Sequence, residues 1–429
     1  MIQKIYNAFL ECNQKITTDT RNISSRCIFF ALKGPNFNGN RFASEALAKG
    51  ASYVVVDEEN DCEKNKTFVV NNVLQTLQDL ASFHRKKFKI PFIGITGTNG
   101  KTTTKELIGK VLSSKYNLLI TTGNLNNHIG VPLTLLKLNK ENEIAVIEMG
   151  ASKKGDIKEL CEIALPTHGI ITNIGKAHLK GFGSAQIIKE TKLELYENIF
   201  RRNGEIIVNK DDKELLSQIP EYIKKHTYGI KDADACGHII NQKPTIDIQI
   251  NFNNSKYQNI STNLLGSYNL MNILASATVG KIFGLDTMNI LKSIENYEPS
   301  NNRSQLIETG KNTIIADCYN ANPTSTLASI RSLLETNNKN KIAILGDMLE
   351  LGKYSEKEHQ SIVDFTEKNK INCFLVGGEF YTTKTNHKKF HTTKELITYL
   401  KQIEFKKHLF LLKGSRGIKL EEIINCNIL

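Results

Sequence analysis

The chain lacks the features that would assign it to several specialised protein classes. No apolar run approaches the roughly 20 residues that a membrane-crossing helix needs. The N-terminal stretch MIQKIYNAFLECNQK has neither the apolar region nor the small-residue cleavage site of a secretory signal. The eight cysteines are scattered without a CxxC pair, which argues against a zinc site, a dithiol redox motif or a disulfide framework. We therefore expect a reduced, cytoplasmic protein without an integral membrane segment.

The composition is also free of strong bias. Hydrophobic residues make up 40% and charged residues 23% of the 429 residues, which argues against disorder. At roughly 100–200 residues per domain, this length corresponds to two to four domains. The formal charge of +12 suits anionic partners such as nucleotides. No block of basic residues stands out, so a lysine-rich surface set by genome composition is an equally good interpretation. No basic stripe is interleaved with aromatic residues, and we expect no nucleic-acid partner.

Apolar runs of strand length alternate with helix-length stretches along the chain. This alternation predicts βαβ units on mostly parallel sheets that are covered on both faces. The runs are IFFAL (28–32), SYVVVD (52–57), IPFIGITG (90–97), AVIEMG (145–150), GIITNIG (169–175), EIIVN (205–209), TIIADCYN (313–320), KIAILGD (341–347), NCFLVGG (372–378) and HLFLLKG (408–414). A helix is predicted at about 42–49, and the polar stretch NYEPSNNRS (296–304) is the candidate hinge between two α/β domains.

The segment GITGTNGKTTTKEL (94–107) is the sharpest local signal, because it follows a strand and opens a helix. Glycines let backbone N–H groups crowd around phosphate oxygens, and the helix N-terminus adds its dipole. Lys101 would reach the β- and γ-phosphates, and the Thr102 hydroxyl would ligate Mg²⁺. The usual phosphate loop has a glycine at the position of Ile95, so the GxxGxxGKT spacing found here departs from the common pattern.

Three further residues are candidates for handling charge beside this loop. Glu148 ends the strand AVIEMG, at the sheet edge where ligands of open α/β sheets bind. His178 follows the strand GIITNIG and emerges from the same edge. Taken alone, Glu148 could be a solvent-facing carboxylate and His178 a structural histidine. Lys192 on a predicted helix would, from the pattern alone, be a solvated surface residue.

Taken together, the motifs of this sequence resemble the Mur ligase family, and the resemblance covers nearly the whole chain. The pair GNLNNHIGVP and DCYNANP indicates the member that adds a dipeptide. The similar stretches are TDTRNISSRCIFFALKG (18–34), GITGTNGKTTTKEL (94–107), TGNLNNHIGVPLTLL (122–136), IEMGASKKGDI (147–157), ITNIGKAHLKGFGS (171–184), GSYNLMN (266–272), ADCYNANP (316–323), LGDMLELG (345–352) and KGSRG (413–417).

The resemblance implies an α/β protein of three domains. Residues 1–88 would bind the UDP-linked substrate, 89–298 would form a phosphate-loop ATPase with a mostly parallel sheet, and 299–429 would form a Rossmann-like ligase domain. The implied reaction is ATP-dependent and ADP-forming. It joins D-alanyl-D-alanine to UDP-N-acetylmuramoyl-tripeptide through an acyl phosphate, a step of peptidoglycan precursor synthesis. A monomer is expected. The rival interpretations are a family member that adds a single amino acid and a basic nucleic-acid-binding NTPase.

The resemblance also assigns roles to individual residues. Lys101, His178 and Lys192 would be catalytic, and two Mg²⁺ ions would be held by Thr102, Glu148, His178 and Lys192, the lysine as a carbamate formed with CO₂. The expected ATP-binding residues are Gly97, Thr98, Asn99, Gly100, Lys101, Thr102, Thr103, Asn272, Arg303 and Asp317. The expected substrate-binding residues are Thr20, Arg21, Asn126, Asn127, Tyr319, Asn320, Ser415 and Arg416.

Two departures from the family pattern affect this assignment. Asn38-Gly39-Asn40 stands where DGH is usual near the uridine site, and Ala316 stands where an additional aspartate is common. Without the family match, Asn272, Arg303 and Asp317 would be interpreted as a helix cap, a linker charge and a turn residue.

Overall fold

The computed structural model describes residues 1–58, 62–299 and 302–429. Its first parallel sheet has the strand order β1-β2-β5-β6, and a small hairpin pairs β3 with β4. The predicted strands at 28–32 and 52–57 are confirmed as β2 and β5, which pair in parallel, and the helix predicted at 42–49 is α2. The elements are α1 (Ile2–Glu11), β1 (Ile16–Thr17), β2 (Ile28–Phe30), β3 (Lys33–Gly34), β4 (Phe37–Asn38), α2 (Ala43–Ala48), β5 (Tyr53–Val56), β6 (Thr67–Val69) and α3 (Val73–Arg85).

A second sheet of nine strands follows, in the order β15-β14-β13-β12-β11-β10-β7-β9-β8. The four strands predicted in this segment are confirmed as β7, β9, β10 and β11. The elements are β7 (Phe92–Thr96), α4 (Lys101–Leu112), β8 (Leu118–Ile120), α5 (Gly130–Leu135), β9 (Ile144–Glu148), α6 (Asp156–Ala164), β10 (His168–Ile171), α7 (Leu179–Phe182), α8 (Ala185–Arg201), β11 (Glu205–Asn209), α9 (Lys213–Leu216), β12 (Lys225–Gly229), β13 (Ala235–Gln242), β14 (Thr245–Phe252), β15 (Gln258–Leu265), α10 (Asn269–Ile282) and α11 (Thr287–Glu295).

The antiparallel edge of this sheet was not predicted. Strands β13, β14 and β15 pair antiparallel, whereas the pairs from β8 to β13 are parallel. In β14, Ile246, Ile248 and Ile250 are buried, and the residues between them are partly exposed. Such alternation is typical of a sheet covered on one face only. It lacks the continuous apolar run by which the buried parallel strands were recognised.

The third sheet has the order β16-β17-β21-β18-β19-β20 and is parallel except for the edge strand β16. The four predicted strands are confirmed as β17, β18, β19 and β21, and residues 300 and 301 of the candidate hinge lie outside the described residues. The elements are β16 (Gln305–Glu308), β17 (Thr313–Asp317), α12 (Pro323–Glu335), β18 (Lys341–Gly346), α13 (Ser355–Lys368), β19 (Asn372–Val376), α14 (Gly378–Tyr381), β20 (Lys388–Phe390), α15 (Thr393–Leu400), β21 (Leu409–Lys413) and α16 (Glu421–Asn425).

Helix α3 joins the first sheet to the second. Leu77 of this helix belongs to the same buried cluster as Ile147 of β9. The buried guanidinium of Arg85 donates to the carbonyls of Ala164 and Leu165 at 2.8 and 2.9 Å, and it lies 3.3 Å from the centroid of the Phe92 ring. These contacts satisfy carbonyl groups at the end of α6. They fix the C-terminal end of α3 beside the amino ends of β7 and β10 in the central sheet.

The carboxyl ends of two sheets border one cleft. β7, β9 and β10 of the central sheet and β17 and β21 of the third sheet all end there. Ligands of open α/β sheets bind at such edges, so this cleft is the place to look for a site. In the part of the chain that the structure describes, no helix combines the length and the apolar character needed to cross a membrane.

Candidate active site

The cleft has a volume of about 930 Å³ and collects most of the predicted site residues. Thr20, Arg21, Ser415 and Arg416 are the predicted residues that do not line it. Those that do are Gly97, Thr98, Asn99, Gly100, Lys101, Thr102, Thr103, Asn126, Asn127, Glu148, His178, Lys192, Asn272, Arg303, Asp317, Tyr319 and Asn320. Residues that are distant in sequence thus meet around one space large enough for a nucleotide and part of a second ligand.

The phosphate loop between β7 and α4 depends on two glycines. Gly97 and Gly100 have φ angles of 143° and 80°, which favour glycine. A Cβ at Gly97 would lie 2.0 Å from Oγ1 of Thr172, and one at Gly100 would lie 2.6 Å from Oδ1 of Asn272. Between them, the backbone N–H of Asn99 donates to Asn173 Oδ1 at 3.0 Å. The loop is therefore held tightly against β10 and α10, at the N-terminus of α4.

Lys101 begins α4 and turns its side chain back over the loop. Its Nζ donates to the carbonyls of Gly97 and Thr98 at 2.7 and 3.1 Å. Burial lowers the pKa of Lys101 from its ordinary value, an effect that Glu148 opposes and Arg303 reinforces. The ammonium group and the N–H groups at the start of α4 together make the loop a site for an anion.

Glu148 ends β9 with its carboxylate inside the protein, and the residue is 1% exposed. Oε1 accepts a hydrogen bond of 2.8 Å from Asn126 Nδ2. Oε2 has no hydrogen-bond partner within the described residues, although the buried ammonium of Lys105 lies 3.7 Å away. A buried carboxylate oxygen without a hydrogen bond is costly unless a cation satisfies it. Glu148 therefore fits the role of a metal ligand.

His178 precedes α7 with a left-handed backbone, at φ 51°. Its Nδ1 pairs with Oε2 of Glu350, which lies in the loop after β18. The hydrogen bond with His178 lowers the pKa of the Glu350 carboxyl. In the described ranges, no three His, Cys, Asp or Glu side chains come together as a metal cluster. A metal ion bound by Glu148 or His178 would therefore need further oxygen ligands, such as hydroxyl groups, phosphate or water.

Lys192 lies inside the protein on α8, and the residue is only 3% exposed. The nearest aromatic ring is that of Phe182, whose centroid is 5.9 Å from Nζ. Burial lowers the pKa of Lys192 to about 7, with a further contribution from the positive charge of Lys101. The interpretation of Lys192 as a solvated surface residue is therefore wrong, because the residue is buried and lines the cleft.

Across the cleft, the third sheet supplies a second set of charges. Lys413 Nζ donates to Asp317 Oδ2 at 2.9 Å and to the Asn320 carbonyl at 2.8 Å. Ser329 Oγ donates to the same Asp317 oxygen at 2.7 Å. The guanidinium of Arg303 lies 3.7 Å from the centroid of the Tyr319 ring. Asp317 and Tyr319 are thus held in place beside the cleft by partners on neighbouring elements.

The side chains of three of the predicted asparagines shape the site through hydrogen bonds within the protein. Asn272 donates to Asn269 Oδ1 at 2.8 Å and accepts from Thr104 Oγ1 at 3.1 Å, next to Gly100. Asn127 Oδ1 accepts from the backbone N–H of Gly130 at 2.9 Å and so shapes the start of α5. Asn126 holds Glu148, as described above.

The remaining predicted residues do not line the cleft. Arg21 is exposed and pairs with Asp19 at 2.7 Å, and Thr20 stands beside it in the first domain. Ser415 is buried, and its Oγ accepts from the backbone N–H of Leu349 at 2.9 Å. The guanidinium of Arg416 is exposed, 5.8 Å from the centroid of the Tyr319 ring.

Several residues of the site were not singled out from the sequence. Lys105 follows Lys101 by one helical turn, and this spacing was the available signal for it. Asn322, Glu350 and Lys413 stand inside the motifs DCYNANP, LGDMLELG and KGSRG, but nothing in the spacing shows which motif residues meet. Asn322 Nδ2 donates to Asn99 Oδ1 at 2.8 Å, so the third sheet contacts the phosphate loop directly.

Comparison with known proteins agrees with this geometry. Residues 14–95 match the Mur ligase family catalytic domain, 95–280 the Mur ligase middle domain, and 302–416 the Mur ligase glutamate ligase domain. The UDP-N-acetylmuramoyl-tripeptide–D-alanyl-D-alanine ligase of Bacillus subtilis is 35% identical over 426 residues, covering 95% of this chain and 92% of the relative. The enzyme of that name from Escherichia coli is 30% identical, covering 95% and 92%.

Solved structures of similar proteins have the same fold. A crystal structure of MurF from Acinetobacter baumannii superposes with a TM-score of 0.88 at 30% identity, covering 96% of this chain and 93% of the other. MurF ligase from Thermotoga maritima in complex with ADP gives a TM-score of 0.88 at 27% identity, covering 97% of each chain. With its three matched domains and its cleft between two sheet edges, the chain belongs to the Mur ligase family.

Proposed function

We propose that this chain is the ATP-dependent ligase that joins D-alanyl-D-alanine to UDP-N-acetylmuramoyl-tripeptide in peptidoglycan precursor synthesis, releasing ADP and phosphate. One observation carries the proposal. The phosphate loop and the DCYNANP turn that follows β17 meet in one cleft, where Asn322 Nδ2 donates to Asn99 Oδ1 at 2.8 Å. The names of the relatives from Bacillus subtilis and Escherichia coli support the choice of substrates.

The chemistry proceeds in two transfers. A free carboxylate oxygen of the tripeptide attacks the γ-phosphorus of ATP, and ADP leaves with the electrons of the broken P–O bond. The neutral amine of D-alanyl-D-alanine then attacks the acyl carbon and loses a proton, and the tetrahedral intermediate expels inorganic phosphate with the electrons of the broken C–O bond. In the first step a carboxylate approaches a polyanion, so the site must offset their repulsion.

ATP would bind along the loop from Gly97 to Thr103. The backbone N–H groups of the loop and Lys101 would face its phosphates. Asn272 would contact the adenine, Arg303 the phosphates and Asp317 the ribose. The ADP complex of the Thermotoga maritima relative supports nucleotide binding in this fold.

The residues around Glu148 fit Mg²⁺. The oxygen Oε2 of Glu148 is buried and accepts no hydrogen bond from the described residues, and an oxygen ligand is what Mg²⁺ prefers. Thr102 and Glu148 would hold one ion, and His178 would help to hold a second. When bound, the two ions would screen the charges of the carboxylate and the γ-phosphate.

Lys192 would act as a carbamate. Its neutral amine would attack CO₂ and lose a proton, leaving an anion that can reach magnesium. Burial supports this role, because a buried amine with a pKa of about 7 is far more often neutral than an exposed one. Lys192→Ala is expected to abolish ligation without added bicarbonate or acetate.

Both substrates would enter from the borders of the cleft. Tyr319, Asn320, Ser415 and Arg416 would contact the incoming dipeptide. Thr20 and Arg21 would bind the UDP portion, and Asn126 and Asn127 would lie along the peptide. Asn38 Nδ2 donates to Glu58, and Asn40 Nδ2 donates to Asp57. These two amides would therefore give the uridine region other hydrogen bonds than the aspartate and histidine of the usual DGH motif.

We infer domain boundaries at residues 1–88, 89–298 and 299–429. Each range contains one of the three main sheets, which supports this division. We further infer a cytoplasmic monomer that binds no nucleic acid, because its substrates are small anions and the cleft lies within one chain.

Mass analysis of the products tests the proposal. The protein is supplied with ATP, Mg²⁺ and UDP-N-acetylmuramoyl-tripeptide, and with either D-alanyl-D-alanine or single amino acids. We expect a product heavier by one dipeptide residue and stoichiometric ADP with the dipeptide. Ligation of single amino acids at the same rate would instead support the neighbouring family members. ATP turnover that depends on nucleic acid would refute the ligase proposal.

A further inference from the structure

We propose that Glu350 is a positioning residue for His178. Its carboxylate holds the imidazole through Nδ1 and so leaves Nε2 available to a ligand in the cleft. The two residues belong to different sheets and are 172 positions apart, so the contact forms only when the third sheet lies against the central one. The inference rests on the proposed function, in which His178 helps to hold Mg²⁺.

The carboxylate and the backbone carbonyl of Glu350 both contact the turn that carries His178. Oε2 pairs with His178 Nδ1, and the carbonyl oxygen accepts the backbone N–H of Lys180 at 3.0 Å. In the described part of the chain, the imidazole nitrogen Nε2 has no hydrogen-bond partner, and His178 lines the cleft. A histidine held at one ring nitrogen has a fixed orientation for ligation through the other.

The backbone at this contact is unusual on both sides. His178 and Glu350 have φ angles of 51° and 65°, in the left-handed region that non-glycine residues rarely adopt. Their side chains are 34% and 62% exposed, and exposed ion pairs contribute little to stability. The main effect of the pair is therefore to orient the imidazole.

Hydrogen bonds hold the loop that presents Glu350. The Asp347 carboxylate accepts the backbone N–H groups of Glu379 and Phe380 at 3.0 and 2.8 Å. The N–H of Met348 donates to buried His359 at 3.0 Å, and that of Leu349 donates to Ser415 Oγ at 2.9 Å. Three consecutive residues are thus fixed just before Glu350. The KGSRG motif contributes to the site through this support.

Apolar contacts bring the two turns together. Leu179 and Phe182 of α7 belong to the same buried cluster as Met348 and Leu351. The hydroxyl of Tyr354 donates to the carbonyl of Gly183 at 3.1 Å. Packing of the third sheet against α7 therefore places the Glu350 carboxylate next to His178. Orientation of the histidine therefore depends on how the third sheet packs against α7.

The test compares Glu350→Ala and Glu350→Gln with Glu356→Gln, which changes an exposed carboxylate on α13. Two quantities are measured: the Mg²⁺ concentration that gives half-maximal ligation, and the ¹⁵N resonances of the His178 imidazole in the protein without nucleotide, assigned with His178→Gln. Thermal unfolding shows whether each variant is folded. If Glu350→Ala does not fold, the comparison is made with Glu350→Gln.

We expect Glu350→Ala to raise the half-maximal Mg²⁺ concentration about 10- to 100-fold and to shift the Nδ1 resonance. Glu350→Gln keeps an acceptor and should fall between it and the wild type, and Glu356→Gln should match the wild type. Wild-type magnesium dependence and imidazole resonances in Glu350→Ala would overturn the inference, as would lost activity with unchanged resonances. A wild-type protein that does not ligate D-alanyl-D-alanine would refute the proposed function instead, while the imidazole resonances still test the contact.

Discussion

The side-chain amide of Asn322 donates a hydrogen bond of 2.8 Å to Oδ1 of Asn99, across 223 positions of the chain. Asn322 is also the N-cap of α12, where its Oδ1 accepts the backbone N–H of Ser325 at 2.9 Å. Asn99 lies in the phosphate loop, and its carbonyl accepts from Thr172 Oγ1 at 2.6 Å. One amide therefore links the start of α12, the helix after β17, to the loop that would hold ATP.

Replacing Asn322 separates its two roles. Asn322→Ser keeps an N-cap oxygen but cannot reach Asn99, whereas Asn322→Ala loses both contacts. We expect the free energy of unfolding to fall by about 1 kcal/mol in Asn322→Ala and to change little in Asn322→Ser. Both variants should lose roughly tenfold in kcat/KM for ATP, which corresponds to about 1.4 kcal/mol. Urea unfolding and steady-state kinetics measure the two effects, and wild-type kinetics in Asn322→Ser would show that the link to the loop is unimportant.

Glu148→Gln tests the orphaned carboxylate oxygen. The change preserves the contact from Asn126 but replaces an anionic oxygen beside Lys105 with an amide. We expect ligation to fall at least 100-fold, because the site loses a metal ligand and leaves a buried lysine uncompensated. Calorimetric titration with Mg²⁺ and nucleotide should show weaker binding. Glu143→Gln, just before the same strand, is the matched control and should behave like the wild type, and equal losses in both variants would count against a specific role.

Carbamylation of Lys192 should depend on pH. The reaction needs the neutral amine, and with a pKa of about 7 the amine is about half neutral at pH 7. We expect the ¹³C carbamate signal formed from labelled bicarbonate to grow as the pH rises from 6 to 8. Lys192→Ala should lack the signal, whereas Lys189→Ala on the same helix should keep it. An active wild-type protein without any carbamate signal would contradict the assignment.

His168 should make the protein less stable in mild acid. Burial lowers its pKa to about 4, so between about 6.5 and 4 the unfolded chain binds more protons than the folded one. The contribution of neutral His168 to the free energy of unfolding is therefore complete above about pH 6.5. It is lost as the pH falls through this window, by up to about 1.4 kcal/mol per pH unit. Urea unfolding at pH 7 and pH 5 measures the loss. His168→Gln should reduce the difference, and an unchanged difference would show that other groups dominate.

The elements that could be predicted share a simple physical signal. Buried parallel strands are continuous apolar runs, and β7, β9 and β18 were found in this way. The phosphate loop was recognisable because glycine, lysine and threonine must stand at fixed spacing. The half-exposed strand β14 alternates apolar and polar residues, so it has no continuous apolar run that would predict it.

Contacts between distant segments could not be predicted. Burial of Lys192 depends on how α8 packs, and the pairing of His178 with Glu350 depends on how two sheets meet. The motif KGSRG marks Ser415 as a candidate, but only the tertiary fold shows that its Oγ accepts from the backbone N–H of Leu349, in the loop before Glu350. Local patterns identify candidate residues, whereas their partners follow from the tertiary fold.

An isotope-transfer measurement tests the acyl phosphate most directly. The tripeptide carboxylate is labelled with ¹⁸O in both oxygens and ligated to D-alanyl-D-alanine, and the released phosphate is analysed by mass spectrometry. Because one carboxylate oxygen bonds to the γ-phosphorus and leaves with it, we expect one ¹⁸O in each phosphate and one in the new amide. Unlabelled phosphate, with ATP consumed and product formed, would contradict activation of the carboxylate by phosphoryl transfer.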